Sequence, residues 1–78
     1  MAIAIEKNYE VYLFYGENED GEMLKLGQAR VREQENDEEE TLVWYEGFFD
    51  TRPISFDDDD DLIRNIKRRK PHEDVYFL

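Results

Sequence analysis

The chain has 78 residues, 21 of them Asp or Glu against 10 Lys or Arg, for a formal net charge of -11, and it contains no cysteine. That balance argues against direct contact with DNA, RNA or an anionic membrane, because a nucleic-acid binder must bring positive charge to displace counterions from phosphates. It also excludes disulfides and thiolate metal sites, and the length predicts one small acidic domain, residues 1–78, that buries only roughly 60% of its unfolded surface.

Hydrophobic residues make up 40% of the chain and aromatic residues 14%, enough for a core and against plain disorder. The early apolar piece AIAI is far too short to span a membrane, and no leader pattern is visible, so a soluble cytoplasmic protein is expected. YEVYLFY, residues 9–15, is aromatic and β-branched. It predicts a first strand with Val11 and Leu13 on one face and Tyr12 and Phe14 on the other. GENEDGE follows as a polar tip framed by Gly16 and Gly21. MLKLGQARVRE, 23–33, predicts a second strand whose Leu24 and Leu26 pair on the Tyr12/Phe14 side. QENDEEE predicts a turn centred on Asn36 and Asp37, which tolerate positive φ. TLVWYEGFF, 41–49, predicts the third strand, with Trp44, Tyr45, Phe48 and Phe49 shared between both faces.

DTRPI breaks the ladder, because Pro53 has no N–H to donate. Ser55 then predicts the cap of a helix running from Phe56 or Asp57 to Arg69, with Pro71 just beyond its end. Leu62, Ile63 and Ile66 form its narrow apolar stripe, with Phe56 one heptad before Ile63. VYFL, 75–78, predicts a short C-terminal strand. The expected fold class is α+β: an antiparallel three-stranded meander followed by one helix and that strand, β-β-β-α-β.

Acidic residues cluster three times. The first tip carries Glu17, Glu19, Asp20 and Glu22; the second carries Glu33, Glu35, Asp37, Glu38, Glu39 and Glu40; the helix start carries Asp57, Asp58, Asp59, Asp60 and Asp61. These hold 15 of the 21 carboxylates. Aspartates at the helix start and Arg64, Lys67, Arg68, Arg69 and Lys70 toward its end oppose the helix dipole, and Asp60–Arg64 is an i,i+4 pair. One or two aspartates would serve that purpose; five in succession exceed it. In a meander, 17–22 and 57–61 share one end of the sheet. The second tip lies roughly 30 Å away at about 3.3 Å per residue, a layout suited to an extended basic groove. One helix covers one sheet face, so the other needs a second subunit, as in a homodimer, or a partner, or water.

Catalytic chemistry is not indicated. His72 is the only histidine, Ser55 is explained as a cap, and no nucleophile–base–acid set or phosphate-cradling glycine motif can be assembled. The acidic runs lack the alternate-position spacing of a calcium loop. No enzyme activity, cofactor or metal is therefore expected.

The segments ENEDGE, EQENDEEE and DDDDD, with the size and charge balance, resemble the small acidic DNA-mimic inhibitors of phages and mobile elements, the anti-CRISPR and anti-restriction type. The resemblance is one of class, since those proteins share no motif. It implies a nucleic-acid-mimicking inhibitor whose partner is the basic surface of a nucleic-acid-binding protein, such as a CRISPR effector or restriction enzyme, in the host cytoplasm. The three acidic clusters would contact that partner, with Trp44 and Phe48 as desolvated anchors. RNIKRRK departs from a uniformly acidic mimic. The alternatives are an adaptor or homodimeric subunit docking through the aromatic sheet face, and adaptation of the surface to high salt.

Overall fold

The computed structural model describes residues 2–32, 39–46, 52–69 and 74–78. These form β1 (Ala2–Asn8), β2 (Val11–Glu17), β3 (Met23–Arg32), β4 (Glu40–Glu46), β5 (Ile54–Phe56), the helix α1 (Asp59–Arg69) and β6 (Asp74–Phe77). The strands make one sheet in the order β5-β4-β3-β2-β1-β6. β6 runs parallel to β1, and every other neighbouring pair is antiparallel. The expected three-stranded meander is thus overturned: the sheet is a curled, six-stranded mixed half-barrel with one short helix.

Both unexpected strands exist because they bury side chains. In β1, Ile3 and Ile5 point inward and are fully buried. Full burial of such a side chain stabilises by about 1.5–3 kcal/mol, so β1 belongs to the core. Its tight connection to β2 holds Tyr9 at φ 51, a left-handed conformation rare for a bulky residue. In β5, Ile54 and Phe56 face the core and Ser55 faces out. Ser55 lies opposite Thr41 in the ladder, and their hydroxyls are 2.9 Å apart.

Ser55 is therefore not the helix cap. Asp58 is: its Oδ1 accepts from Asp61 N–H at 2.8 Å and its carbonyl from Leu62 N–H at 3.1 Å. Asp61 reaches back, accepting from Asp57 N–H at 3.1 Å. This is a variant of the capping box built from two aspartates, its return bond going to the residue before the cap. Phe56 consequently meets the core from β5, not from the helical stripe. Arg64 pairs with Asp61 at 3.5 Å, one position off the expected Asp60.

The β2–β3 register also differs from expectation. Phe14 and Tyr12 face Gly27 and Ala29, and a bulge beside Phe14 leaves Leu26 as the extra residue. Leu24 falls opposite Gly16 and is 53% exposed. Small residues across from two rings leave room for Trp44, whose ring lies 4.7 Å from that of Phe14. The helix lies over this inner face with Leu62 and Ile66 fully buried, and touches both edge strands, β5 and β6. It bridges the open side of the curl. At its C-terminal end Arg69 donates to the carbonyls of Arg52 and Pro53.

Candidate functional site

Strand direction decides where the acidic residues meet. β4 runs toward the Asn18 tip, with Glu46 opposite Gln28, and β5 runs back so that Phe56 stands opposite Glu40. The helix therefore begins at the end that carries the β1–β2 turn and Glu39–Glu40. Asp57–Asp61 do not join Glu17–Glu22, as the meander required. They share an end with Glu39, Glu40 and Tyr9, and the Asn18 tip lies at the other, about 20 Å away along a seven-residue strand.

The Asn18 tip is ordered by a side chain. Asn18 Oδ1 accepts from the N–H groups of Asp20 at 3.0 Å and Glu22 at 2.9 Å, its carbonyl accepts from Gly21 N–H, and its own N–H donates to the Glu22 carbonyl. Gly21 supplies the positive φ, 79°, that the turn needs. Glu19, Asp20 and Glu22 are held exposed on this loop. Glu17 receives a long hydrogen bond, 3.4 Å, from the Tyr76 hydroxyl. Burial, followed by that carboxylate, holds the Tyr76 phenol above its ordinary value.

The Tyr9 end is chemically richer. Register puts Lys7 beside Tyr12 and Glu40 beside Phe56, all on the inner-face side. The Tyr12 ring meets Phe56 edge-on at 6.1 Å. Lys7 Nζ sits 5.7 Å from the Tyr12 ring centroid and 3.9 Å from Asp59 Oδ1. Lys7 is held above its ordinary pKa, first by the adjoining Tyr12 hydroxyl and then by the charges of Asp59 and Glu40. Burial pushes Tyr12 upward, opposed by Lys7 and reinforced by Glu40 and Asp59. Yet the Lys7 contact falls outside hydrogen-bond geometry: Tyr12 Oη is buried with no hydrogen-bond partner among the described residues.

Among the described residues, Glu19, Asp20, Glu22, Glu39, Glu40, Asp57 and Asp60 form no ion pair within 4 Å. Asp59 has only the long contact to Lys7, and Asp58 and Asp61 are engaged in the cap. No group of three acidic, histidine or cysteine side chains among the described residues converges to hold a metal ion, and no described helix is long and apolar enough to cross a membrane.

Of the two expected aromatic anchors, Trp44 is a core residue. It is 9% exposed, and its indole N–H donates to the Arg52 carbonyl at 3.1 Å. The exposed aromatic at an acidic end is Tyr9, 99% accessible. Phe48, Glu33, Glu35, Asp37 and Glu38 lie outside the described residues, as do the Asn36–Asp37 turn, Phe49, Lys70, Pro71 and His72. The outer sheet face is mixed. Tyr15 donates to Glu6 at 3.0 Å, which holds that phenol above its ordinary value. Nearby, Arg30 lies 5.6 Å over Tyr45. A depression of about 630 Å³ there is lined by Arg30, Val31, Arg32, Val43 and Tyr45.

No protein-family model matches the chain, and no curated protein or solved structure does.

Proposed function

We propose that the protein is a nucleic-acid-mimicking inhibitor that occupies the basic, phosphate-binding surface of a DNA- or RNA-binding protein such as a CRISPR effector or restriction enzyme. The supporting observation is that, among the described residues, exposed carboxylates are gathered at two opposite ends of one small sheet and most of them form no ion pair there. Phosphate sites recognise charge and position rather than sequence, so fixed carboxylates can compete for them. Complementary charge also speeds association.

The test is competition. Affinity-captured partners are asked whether they release bound DNA or RNA when the chain is added. The comparison is a variant with Glu19, Glu22, Glu39 and Glu40 changed to Gln and Asp20, Asp57, Asp59 and Asp60 changed to Asn, leaving the cap intact. Mimicry requires displacement by the native chain, loss of binding by about tenfold or more in the variant, and loss near 1 M salt, where the Debye length is about 3 Å. Binding that survives both neutralisation and high salt would refute it. A second reading, an adaptor or homodimer docking through the outer face, draws support from the Arg30–Tyr45 depression. It requires sensitivity to Tyr45 and Arg30 in place of the acids.

A further inference from the structure

We infer that the Tyr9 end is the docking end, and that Asp59, Glu40 and Tyr12 Oη form a site for a guanidinium group of the partner, covered in the free protein by Lys7. The inference rests on the mimicry reading and deepens it. Exposed acids alone would not carry it. Two other features at the same end do.

The first is Tyr12. Its hydroxyl is buried and unpartnered, whereas buried polar atoms nearly always have partners. Lys7 Nζ lies 5.7 Å from the Tyr12 ring centroid and 3.9 Å from Asp59, and Glu40 starts the strand beside Phe56, whose ring meets that of Tyr12, so Tyr12 lies at the acidic end. Lys7 is a poor permanent occupant. Its side chain is half exposed, its ammonium stands 3.9 Å from Asp59, and it makes no hydrogen bond of acceptable geometry to Oη. A guanidinium presents five N–H donors in a planar fork. It can bridge Asp59 and Glu40 while donating to the Tyr12 oxygen, which a single ammonium does not do here.

The second is Tyr9. It combines full exposure with positive φ, a conformation that Asn or Gly would adopt at lower cost. An unfavourable residue displayed at the tip of a hairpin is better explained by a contact outside the chain than by one within it. The turn is fixed in place, because the Glu10 carbonyl accepts from Val31 N–H at 2.7 Å. Tyr9 thus stands as an exposed aromatic on a fixed turn at the same end as the guanidinium site, the pairing typical of interface anchors.

The probe is a hexa-arginine peptide, titrated into isotopically labelled protein at about 0.15 M salt, where charges beyond about 8 Å are screened. Amide shifts should concentrate at Lys7–Tyr12, Glu40 and Asp59, with hexa-lysine binding severalfold more weakly. Asp59→Asn with Glu40→Gln should lower affinity by about tenfold, a loss of about 1.4 kcal/mol. Lys7→Met should raise affinity by vacating the site. Tyr9→Asn should weaken binding while leaving the thermal midpoint unchanged or higher, an outcome that a merely structural Tyr9 would not give. Shifts confined to Glu19–Glu22, or equal affinity for the two peptides, would overturn this inference and leave mimicry standing. Absence of binding to either end would overturn both.

Discussion

Replacing Asp58 separates the helix start seen in the structure from the one expected at Ser55. Asp58 satisfies the Asp61 N–H at 2.8 Å and its carbonyl begins the helical ladder. Loss of such a cap costs about 1 kcal/mol, within a range of about 0.5–2. At about 2.1 cal/mol/K per residue, the 78 residues give an unfolding entropy of about 0.16 kcal/mol/K, so Asp58→Ala should lower Tm by about 6 °C. Asp58→Asn keeps the acceptor and should stay within about 2 °C, because the dipole interaction it gives up is small and the relief of net negative charge opposes the loss. Ser55→Ala removes only the hydroxyl contact to Thr41 at 2.9 Å, worth about 0.5 kcal/mol or about 3 °C. Thermal unfolding followed by helical circular dichroism reads all three. A larger loss for Ser55→Ala than for Asp58→Ala would show that the helix begins earlier and that β5 is not a strand. Equal losses for the Ala and Asn variants of Asp58 would show that its charge matters and its capping oxygen does not.

Trp44→Ala should destabilise by about 3–5 kcal/mol, since the ring fills space against Phe14. Against a total of about 4–12 kcal/mol for a chain of this length, that loss leaves little folded protein, readable in urea titration. Trp44→Phe should cost far less and leave partner binding unchanged, because the indole lies inside. Alkaline pH supplies a separate check. Tyr12, Tyr15 and Tyr76 are raised above 10.0 and Lys7 above 10.5 in the folded state. Groups raised by folding contribute stability that is present below the unfolded pKa and lost as pH climbs through the folded one. The urea midpoint should therefore fall above about pH 10, with phenolate absorbance developing at higher pH in the folded chain than in the unfolded chain. A midpoint that rises over that interval would contradict the assignments.

The central strands were legible because aromatic and β-branched residues alternate there: 9–15, 23–33 and 41–49 overlap β2, β3 and β4. The helix was legible from its stripe and its charge order, and its last residue, Arg69, was placed correctly. β1 was hidden because its turn carries no glycine. Asn8, Tyr9 and Glu10 reverse the chain with a tyrosine at positive φ, so the alternation of Ile3 and Ile5 lacked the punctuation that marks a hairpin. β5 was hidden by its length of three residues and by Pro53, which sits just outside the ladder. The error propagated by parity. Each strand reverses the chain, so overlooking β5, the strand between the acidic tips and the helix, moved all five aspartates to the wrong end. The exposed anchor was misassigned for a similar reason: sequence does not say which of two adjacent aromatics, Trp44 or Tyr45, faces in until the register with β3 is known.

The five aspartates can now be divided by use. Asp58 and Asp61 close the capping box and make local sense without any partner. Asp57, Asp59 and Asp60 are exposed, and among the described residues only Asp59 contacts a cation, Lys7 at 3.9 Å, a solvent-exposed pair of a kind that contributes about 0–1 kcal/mol. Two unit charges about 6 Å apart in water repel by about 0.7 kcal/mol, so packing three surplus carboxylates around the cap, next to Glu39 and Glu40, works against the fold. The helix dipole offsets part of this, at about 0.3–1 kcal/mol for each carboxylate in the first turn. Salt screens repulsion of this kind, and positive charge arriving from outside relieves it further. A basic partner binding at the Tyr9 end would gain by that relief, the energetic condition that the proposed docking surface has to meet.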